Sequence, residues 1–277
     1  MNKIIKIIKI NKNNNIIYIL VLLIFIFFVF YFVHNLLKSD HTVYFENFDN
    51  DTIPKIIIQT WKTNIIPDKY KNDVQTCKTF NPKYEHKFFS DEDIDDFLSK
   101  FYPEWFTTYN KLPVKIQKID FFRYIAIYHF GGFYLDLDMT VYKSFDDLLN
   151  NECVFPVDQN IDCSTYNESR FKEACDQDKS LKIILGQYAF AAKKENKFIK
   201  MLIDNIHNNI DSVVAKYNDS LKYVYITTGP DYVTDVYIKY MKDINNRNKI
   251  KILHYPSAQY FGEYAKHNFF GTWKYNK

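Results

Sequence analysis

The stretch from residue 128 to 139, Tyr-His-Phe-Gly-Gly-Phe-Tyr-Leu-Asp-Leu-Asp-Met, decides the fold of this chain. In residues 114–130, which run into this stretch, apolar side chains recur as in a helix buried on almost all sides, and Gly131-Gly132 predicts its end. After the glycines the period changes to two, which is the period of a strand. We therefore predict a buried helix followed by a strand that carries Asp136 and Asp138 on one face.

The two aspartates are candidates for holding a divalent cation. Carboxylates at positions i and i+2 of a strand share one face, and their mutual repulsion favours a counter-ion. Mn²⁺ or Mg²⁺ at this place would bridge Asp136 and Asp138 to a diphosphate. A lone Asp-x-Asp motif is weakly specific, however, and two solvated acids at the end of a strand explain it as well.

A second charged pair precedes the glycines. Asp120 and Arg123 lie three residues apart, on one face of the predicted helix, within a segment that is otherwise apolar. A structural ion pair is one interpretation, but a buried ion pair is rarely a net stabiliser. We favour a site in which both side chains enter the same pocket as Asp136 and bind sugar hydroxyls or phosphate.

The remaining patterns describe an α/β domain. A Ser-x-x-Asp capping box at Ser90 precedes a helix. Further elements are predicted as follows: strands at 53–61, 224–230 and 250–254, and an amphipathic helix at 194–210. Strands that alternate with helices indicate a mixed sheet with helices on both faces.

The segment from Ile16 to Val33 is uncharged and long enough to cross a bilayer as a helix. A cleaved signal peptide and a buried core helix are the alternatives. Because lysines precede this segment, the positive-inside rule predicts type II topology with the large domain on the extracytosolic side. The predicted organisation is a cytosolic tail (1–15), a transmembrane helix (16–33), a stalk (34–52) and one large domain (53–277).

Composition and charge exclude some functions. Hydrophobic residues make up 47% of the 277 residues, enough for a substantial core. The formal net charge is +3, and the first twelve residues contain four lysines, which is one positive charge more than that total. The rest of the chain is therefore slightly acidic, which argues against a nucleic-acid partner. The four cysteines all follow the predicted span and allow three disulfide pairings.

Three segments together resemble a known family. They are Ile-Pro-Lys-Ile-Ile-Ile-Gln-Thr-Trp-Lys-Thr (53–63), the stretch from Tyr102 to Tyr124 with Lys-Ile-Gln-Lys-Ile-Asp-Phe-Phe-Arg-Tyr, and 128–138. They are similar to the sugar-binding-region glycosyltransferases containing the DXD motif, which include fungal outer-chain-initiating and inositol phosphoceramide mannosyltransferases. Residues 267–273, His-Asn-Phe-Phe-Gly-Thr-Trp, resemble the carboxy-terminal motif of the same family.

The resemblance implies a GT-A-like fold, a Rossmann-like mixed sheet flanked by helices, and a metal-dependent transfer of a hexose with retention of configuration. It also implies roles for individual residues. These are catalysis by Asp136, Asp138 and Arg123, donor binding by Gln59, Trp61, Asp120, Arg123, Tyr124, Asp136, Thr272 and Trp273, and metal binding by Asp138 and His267.

The same resemblance implies the substrates and the compartment. The donor would be GDP-mannose or a UDP-hexose, with mannose favoured, and the acceptor a glycan, a lipid or a protein. The location would be a Golgi- or ER-like membrane. Two other functions compete with this one. Asp136-Leu-Asp138-Met-Thr140 also fits the Asp-x-Asp-x-Thr pattern of phosphatases, and a non-catalytic sugar-binding membrane protein could keep the same fold.

Overall fold

The computed structural model describes residues 51–163, 175–176, 182–218, 220–255 and 259–271, together with positions 24–26, 29 and 31. The chain divides into residues 1–48 and 49–277, and the second unit is the one described below. None of the described helices has the length and apolarity that a membrane span requires. The predicted tail, span and stalk lie almost entirely outside the described residues.

The described part of the second unit contains ten strands and eight α-helices. The strands are β1 (Ile56–Thr60), β2 (Glu85–Phe89), β3 (Gly132–Leu135), β4 (Met139–Val141), β5 (Cys153–Asn160), β6 (Ile183–Leu185), β7 (Ala189–Ala192), β8 (Ile250–Leu253), β9 (Tyr260–Phe261) and β10 (Ala265–His267). The helices are α1 (Asp68–Phe80), α2 (Asp91–Phe101), α3 (Pro103–Lys111), α4 (Lys115–Phe130), α5 (Lys197–Asn208), α6 (Ile210–Ala215), α7 (Leu221–Thr227) and α8 (Pro230–Tyr240).

Seven strands form the main sheet, in the order β2-β1-β3-β7-β5-β6, with β8 also pairing with β5. The β1–β2, β1–β3 and β5–β8 pairs are parallel, whereas β3–β7, β5–β7 and β5–β6 are antiparallel. A second sheet of three antiparallel strands has the order β4-β10-β9. The prediction of an α/β domain with a mixed sheet is confirmed.

Both faces of the main sheet are covered, as the apolar sequences of its strands require. On one face, α4, α5 and α8 pack over a large apolar cluster that includes Ile58 and Phe190. On the other face, the small sheet and α1 pack over a second cluster that includes Phe133 and Leu135. Helix α4 confirms the predicted buried helix, and α5, β1 and β8 match the elements expected near those positions.

The glycine pair sets the tight turn from α4 into β3. Gly131 has φ +67° and its N–H donates to the Ile127 carbonyl oxygen at the end of the helix. Gly132 has φ +93° and passes so close to β1 that a Cβ would lie 2.5 Å from the carbonyl oxygen of Ile56. This turn brings the charged pair of α4 next to the end of β3.

The strand predicted across the two aspartates is wrong beyond Leu135. β3 ends there, residues 136–138 form a turn, and β4 joins the other sheet. Leu137 therefore does not share a face with Phe133 and Leu135. It packs instead against Tyr70 and Val74 of α1. Leu137 continues the alternation of apolar and polar residues along the sequence, but its side chain does not belong to the cluster that contains Phe133 and Leu135.

The strand predicted at 224–230 is also wrong, because helix α7 spans most of that segment. The Ser220 hydroxyl caps this helix by accepting a hydrogen bond from the Tyr223 N–H at 3.2 Å. A short apolar run rich in β-branched residues is compatible with a strand or a helix. Here the segment packs against α4 and α8 as a helix. The capping box at Ser90 is confirmed, with Asp93 as its partner.

Of the three cysteine pairings that the sequence allows, the structure contains the Cys163–Cys175 disulfide. Cys77 and Cys153 are buried free thiols. Cys77 lies between α1 and the small sheet, and its thiol is 3.9 Å from the Met139 carbonyl oxygen. These two cysteines therefore act as small apolar side chains in the core.

We expect Gly132→Ala to lower the free energy of unfolding by roughly 2–4 kcal/mol, because the methyl group would meet backbone atoms of β1 at a strained φ. Gly262→Ala is the matched control. Gly262 also has positive φ, +53°, but its nearest neighbour is the Leu253 side chain at 3.2 Å, which can shift. Gly262→Ala should lower the free energy of unfolding by about 1 kcal/mol. Urea denaturation followed by circular dichroism measures both, and equal losses would contradict the explanation.

Candidate active site

The site is built around the guanidinium of Arg123, which is 3% exposed. Its Nη2 atom lies 3.4 Å from Asp120 Oδ1 and 3.4 Å from Asp136 Oδ1. One cation therefore links the helix α4 carboxylate to the first aspartate of the turn after β3. The structure brings Asp120, Arg123 and Asp136 together, as the sequence predicted.

Further contacts fix the orientation of Arg123. Its Nη1 donates to the Gln187 carbonyl oxygen at 2.9 Å, and its guanidinium carbon lies 4.5 Å from the centre of the Tyr134 ring. Burial opposes the positive charge, but Tyr134, Asp136 and Asp120 around it raise the pKa of Arg123 above its usual value. Its Nε is buried without a partner among the described residues. Arg123 is thus a fixed, permanently charged donor.

Asp120 is 1% exposed, and both of its oxygens accept hydrogen bonds. Gln187 Nε2 donates to Oδ1 at 3.0 Å, and the Thr228 hydroxyl donates to Oδ2 at 2.8 Å. Burial raises the pKa of Asp120 to about 6, although Arg123, Thr228 and Gln187 favour the ionised form. Asp120 is therefore held ionised near neutral pH by its partners, in a place where a carboxylate is costly.

Asp136 follows β3 directly, and its side chain is 28% exposed. Its N–H continues the β3–β7 pairing by donating to the Tyr188 carbonyl oxygen at 2.8 Å. The Tyr134 hydroxyl donates to Asp136 Oδ1 at 3.1 Å and contacts the Thr60 hydroxyl at 3.2 Å. Burial raises the pKa of Asp136, and the nearby Asp138 adds to this effect while Arg123 opposes it.

The turn also brings Asp138 to His267 of β10. The His267 Nε2 atom lies 3.2 Å from Asp138 Oδ1, and the Phe270 N–H donates to Asp138 Oδ2 at 2.9 Å. Burial disfavours ionisation of Asp138, but the hydrogen bond and charge of His267 outweigh it and lower the pKa of Asp138. Burial disfavours the charged imidazole too, but Asp138 raises the pKa of His267. The two groups form an acid–imidazole pair.

Asp136, Asp138 and His267 fit a divalent cation. One ligand atom from each lies within 4.8 Å of the others, which is close enough for a single ion to be shared. The Nδ1 atom of His267 is buried without a hydrogen-bond partner in the described ranges, so the imidazole has bonding capacity left over. Two carboxylates and one imidazole match the preferences of first-row divalent metals.

The ring of Tyr188 supports His267. It stacks on the imidazole with the ring centres 4.7 Å apart and the planes at 15°. The Tyr188 hydroxyl donates to the carbonyl oxygen of Tyr260, on the strand beside β10, at 3.2 Å. A Cβ on Gly186 would lie 2.6 Å from the Tyr188 ring, which explains a glycine at that position.

The other predicted donor residues occupy different places. Trp61 packs edge-on against Tyr70, with ring centres 5.0 Å apart, in the cluster that contains Leu137. Gln59 is buried on β1, and its Nε2 has no partner among the described residues. Tyr124 is fully buried beneath the site, and its hydroxyl donates to the Thr228 carbonyl oxygen at 2.6 Å. Thr272 and Trp273 lie outside the described residues.

Two residues that donate hydrogen bonds to Asp120 were not predicted as site residues from the sequence. Gln187 is the one amide in the apolar run from Ile183 to Ala192, and that isolation was the available signal. Its side chain donates to Asp120 and its carbonyl oxygen accepts from Arg123. Thr228 falls within the segment predicted as a strand, 224–230, and its hydroxyl donates to Asp120.

The chain is similar to several curated fungal proteins. It is 40% identical over 118 residues to inositol phosphoceramide mannosyltransferase 3 of Schizosaccharomyces pombe, which covers 42% of this chain and 33% of that protein. It is 27% identical over 195 residues to inositol phosphoceramide mannosyltransferase 1 of the same yeast, covering 69% and 53%. It is 32% identical over 122 residues to the initiation-specific alpha-1,6-mannosyltransferase of Candida albicans, covering 42% and 32%.

These matches span between about a third and about a half of the relatives' own length. Residues 67–155 match the family model described as glycosyltransferase sugar-binding region containing DXD motif. That range begins one residue before α1 and ends within β5, so it includes Asp120, Arg123, Asp136 and Asp138. The chain is therefore similar to this glycosyltransferase family in the segment that carries these four charged residues.

Proposed function

We propose that this chain is a metal-dependent glycosyltransferase that moves a hexose from a nucleotide sugar to an acceptor with retention of configuration. One observation carries the proposal. Asp120 and Arg123 of α4, Asp136 and Asp138 of the turn after β3, and His267 of β10 form a continuous series of charged groups, each within 5 Å of the next. A series of this kind, partly open at Asp136, suits a ligand that has sugar hydroxyls at one end and phosphates at the other.

The Asp120 end suits the donor sugar. Gln187 and Thr228 fix the Asp120 carboxylate by hydrogen bonds. The Nε of the neighbouring Arg123 makes no hydrogen bond to any described residue. Carboxylate and guanidinium groups held in this way bind vicinal hydroxyls with little loss of side-chain entropy. We assign Tyr124 a supporting role, since it is fully buried and its hydroxyl already contacts Gln187 and Thr228.

The Asp138 end suits the diphosphate. A bound divalent cation would supply Lewis-acid stabilisation of the charge that develops on the departing nucleoside diphosphate. Asp136, Asp138 and His267 would hold that cation. Arg123 places a second positive charge beside Asp136 and offsets the same developing charge. Trp61 and Gln59 are assigned to the nucleotide base, and Thr272 and Trp273 to closing the site; these four roles remain predictions.

The imidazole of His267 favours Mn²⁺ over Mg²⁺ as the bound cation. Mg²⁺ demands oxygen ligands in near-ideal octahedral geometry, whereas Mn²⁺ accepts carboxylates and is closer to the metals that bind imidazole. We therefore propose Mn²⁺ as the working ion. A GT-A-like fold, a type II anchor and a Golgi- or ER-like membrane belong to the same proposal.

The names of the relatives support a choice of donor and acceptor. All three relatives described above are named mannosyltransferases, which favours a mannosyl donor such as GDP-mannose over a UDP-hexose. Two are named inositol phosphoceramide mannosyltransferases and one is named an initiation-specific alpha-1,6-mannosyltransferase. A lipid or a glycan is therefore a better candidate acceptor than a protein.

The purified full chain should release nucleoside diphosphate from GDP-mannose in the presence of Mn²⁺, and less with Mg²⁺. Asp138→Ala should lower that turnover by at least about 100-fold, because it removes a proposed ligand of the cation. Circular dichroism checks that the fold survives the loss of the contacts to His267 and Phe270. A coupled assay across a panel of nucleotide sugars measures turnover and donor choice together.

Asp211→Ala is the matched control for Asp138→Ala. Asp211 lies on α6 with its side chain 88% exposed, in a surface ion pair with Lys111, and should affect neither turnover nor stability. Full activity in Asp138→Ala would refute the metal assignment. Cleavage of simple phosphomonoesters would support the phosphatase alternative, and donor binding without turnover would support a sugar-binding protein.

A second test separates structure from function at the Asp120–Arg123 pair. Arg123→Met alone should cost about 3–5 kcal/mol of stability, because it leaves the buried Asp120 without its cation. Asp120→Asn combined with Arg123→Met removes both charges and should restore stability to within about 1–2 kcal/mol of the wild type. The double variant should nevertheless be inactive.

The two readouts of this experiment are the unfolding free energy and the rate of Mn²⁺-dependent donor hydrolysis. A stable double variant with near wild-type turnover would show that the pair is only structural. A stable and inactive one supports the assignment of both groups to the donor sugar.

A further inference from the structure

A second polar cluster lies beside the metal ligands and is made of Asp73, Thr140 and Asn268. The Thr140 hydroxyl donates to Asp73 Oδ1 at 2.6 Å. The Asn268 side-chain amide donates to both oxygens of Asp73, each at 3.1 Å, and to the Thr140 hydroxyl at 2.8 Å. Three segments of the chain, α1, β4 and the segment after β10, therefore meet at one carboxylate.

This cluster is adjacent in sequence to both Asp138 and His267. Thr140 follows Asp138 by two residues on β4, and Asn268 directly follows His267 on leaving β10. In the small sheet Met139 pairs with His267 and Thr140 pairs with Lys266. The Asn268 N–H also donates to the Asp138 carbonyl oxygen at 2.8 Å. A displacement of Asn268 would therefore change the distance between the two metal ligands.

The β4–β10 ladder is too short to fix that distance by itself, since it pairs only three residues on each strand. Helix α1 supplies the additional restraint. Asp73 is 8% exposed, and one turn further on the Thr76 hydroxyl accepts from the Val141 N–H at 2.8 Å. Thr76 binds β4 alone, whereas Asp73 binds both β4 and the segment that follows β10.

We propose that Asp73 is a positioning residue for the metal site and that it acts through Thr140 and Asn268 to set the separation of Asp138 and His267. This inference rests on the proposed metal-dependent function. Asp73 does not contact the donor or the cation. Its role is that of the outer hydrogen-bond partners which orient metal ligands and whose loss typically lowers metal affinity 10–100-fold.

The reciprocal exchange of Asp73 and Asn268 tests the proposal. In Asn268→Asp two carboxylates would face each other where 3.1 Å contacts exist now, and their repulsion should push the end of β10 away from β4. We expect Mn²⁺ affinity to fall at least about tenfold. The double variant Asp73→Asn with Asn268→Asp restores a carboxylate opposite an amide, and its affinity should lie within about threefold of the wild type.

The sign of the effect discriminates between positioning and simple charge. If nothing moves, the added carboxylate of Asn268→Asp makes the site more negative and Mn²⁺ binds more tightly. The measurement is the free Mn²⁺ signal in electron paramagnetic resonance during titration of the purified full chain, with circular dichroism as the check on folding. Affinity in Asn268→Asp equal to or above that of the wild type overturns the proposal.

A milder pair keeps the test valid if Asn268→Asp does not fold. Thr140→Val removes the hydroxyl at nearly constant volume, whereas Thr140→Ser keeps it. Mn²⁺ affinity should fall several-fold in the valine variant and stay within about twofold in the serine variant. Equal affinities in the two variants would contradict the role assigned to this hydrogen bond.

Asn81→Ala is the control for general loosening of α1. Asn81 follows the helix, donates to the Cys77 carbonyl oxygen at 3.2 Å and accepts from the Phe145 N–H at 2.9 Å, without touching Asp73. It should lose stability but keep Mn²⁺ affinity. An equal loss of affinity in Asn81→Ala overturns the positioning role alone. A wild-type chain that binds no Mn²⁺ overturns the metal assignment together with it.

Discussion

The buried guanidinium of Arg123 is the constraint on which the site depends. Taking this charge out of water is costly, and two carboxylates, a carbonyl oxygen and the Tyr134 ring together offset that cost. Those partners come from α4, from β3 and the turn after it, and from the segment before β7. The Gly131-Gly132 turn is what places the first two of these side by side. A change in its geometry would separate Arg123 from Asp136, its partner in the turn after β3.

The sequence patterns predicted the parts of the fold that are governed by local period. The apolar spacing of α4, its glycine stop and the Asp120–Arg123 pair were all read correctly. Two elements were not. The alternation through Leu137 continued past the end of β3, because a two-residue period cannot show that Leu137 packs against α1 instead of the main sheet. The run at Val224 is short and β-branched, and its Ser220 cap and packing against α4 and α8 make it a helix.

The site was predictable only where its residues fall close together in sequence. Asp120, Arg123, Asp136 and Asp138 lie within one helix–turn–strand unit, and the sequence grouped them. Gln187, Thr228 and Phe270 are single polar or aromatic residues without a local pattern, and only the tertiary structure gives them a role. His267 was selected by family resemblance, since an isolated histidine is as compatible with the core as with a metal. The Asp73–Asn268 contact spans 195 residues and had no signal at all.

That distance along the chain has a consequence for biosynthesis. Phe270 and Asp138 are 132 residues apart, so the proposed metal ligands of the turn emerge from the ribosome long before β10 can pair with β4. Until then Asp136 and Asp138 repel each other without the imidazole that later offsets them. The proposed cation site is therefore completed at a late stage of folding, and partly synthesised or misfolded chains should not sequester metal ions.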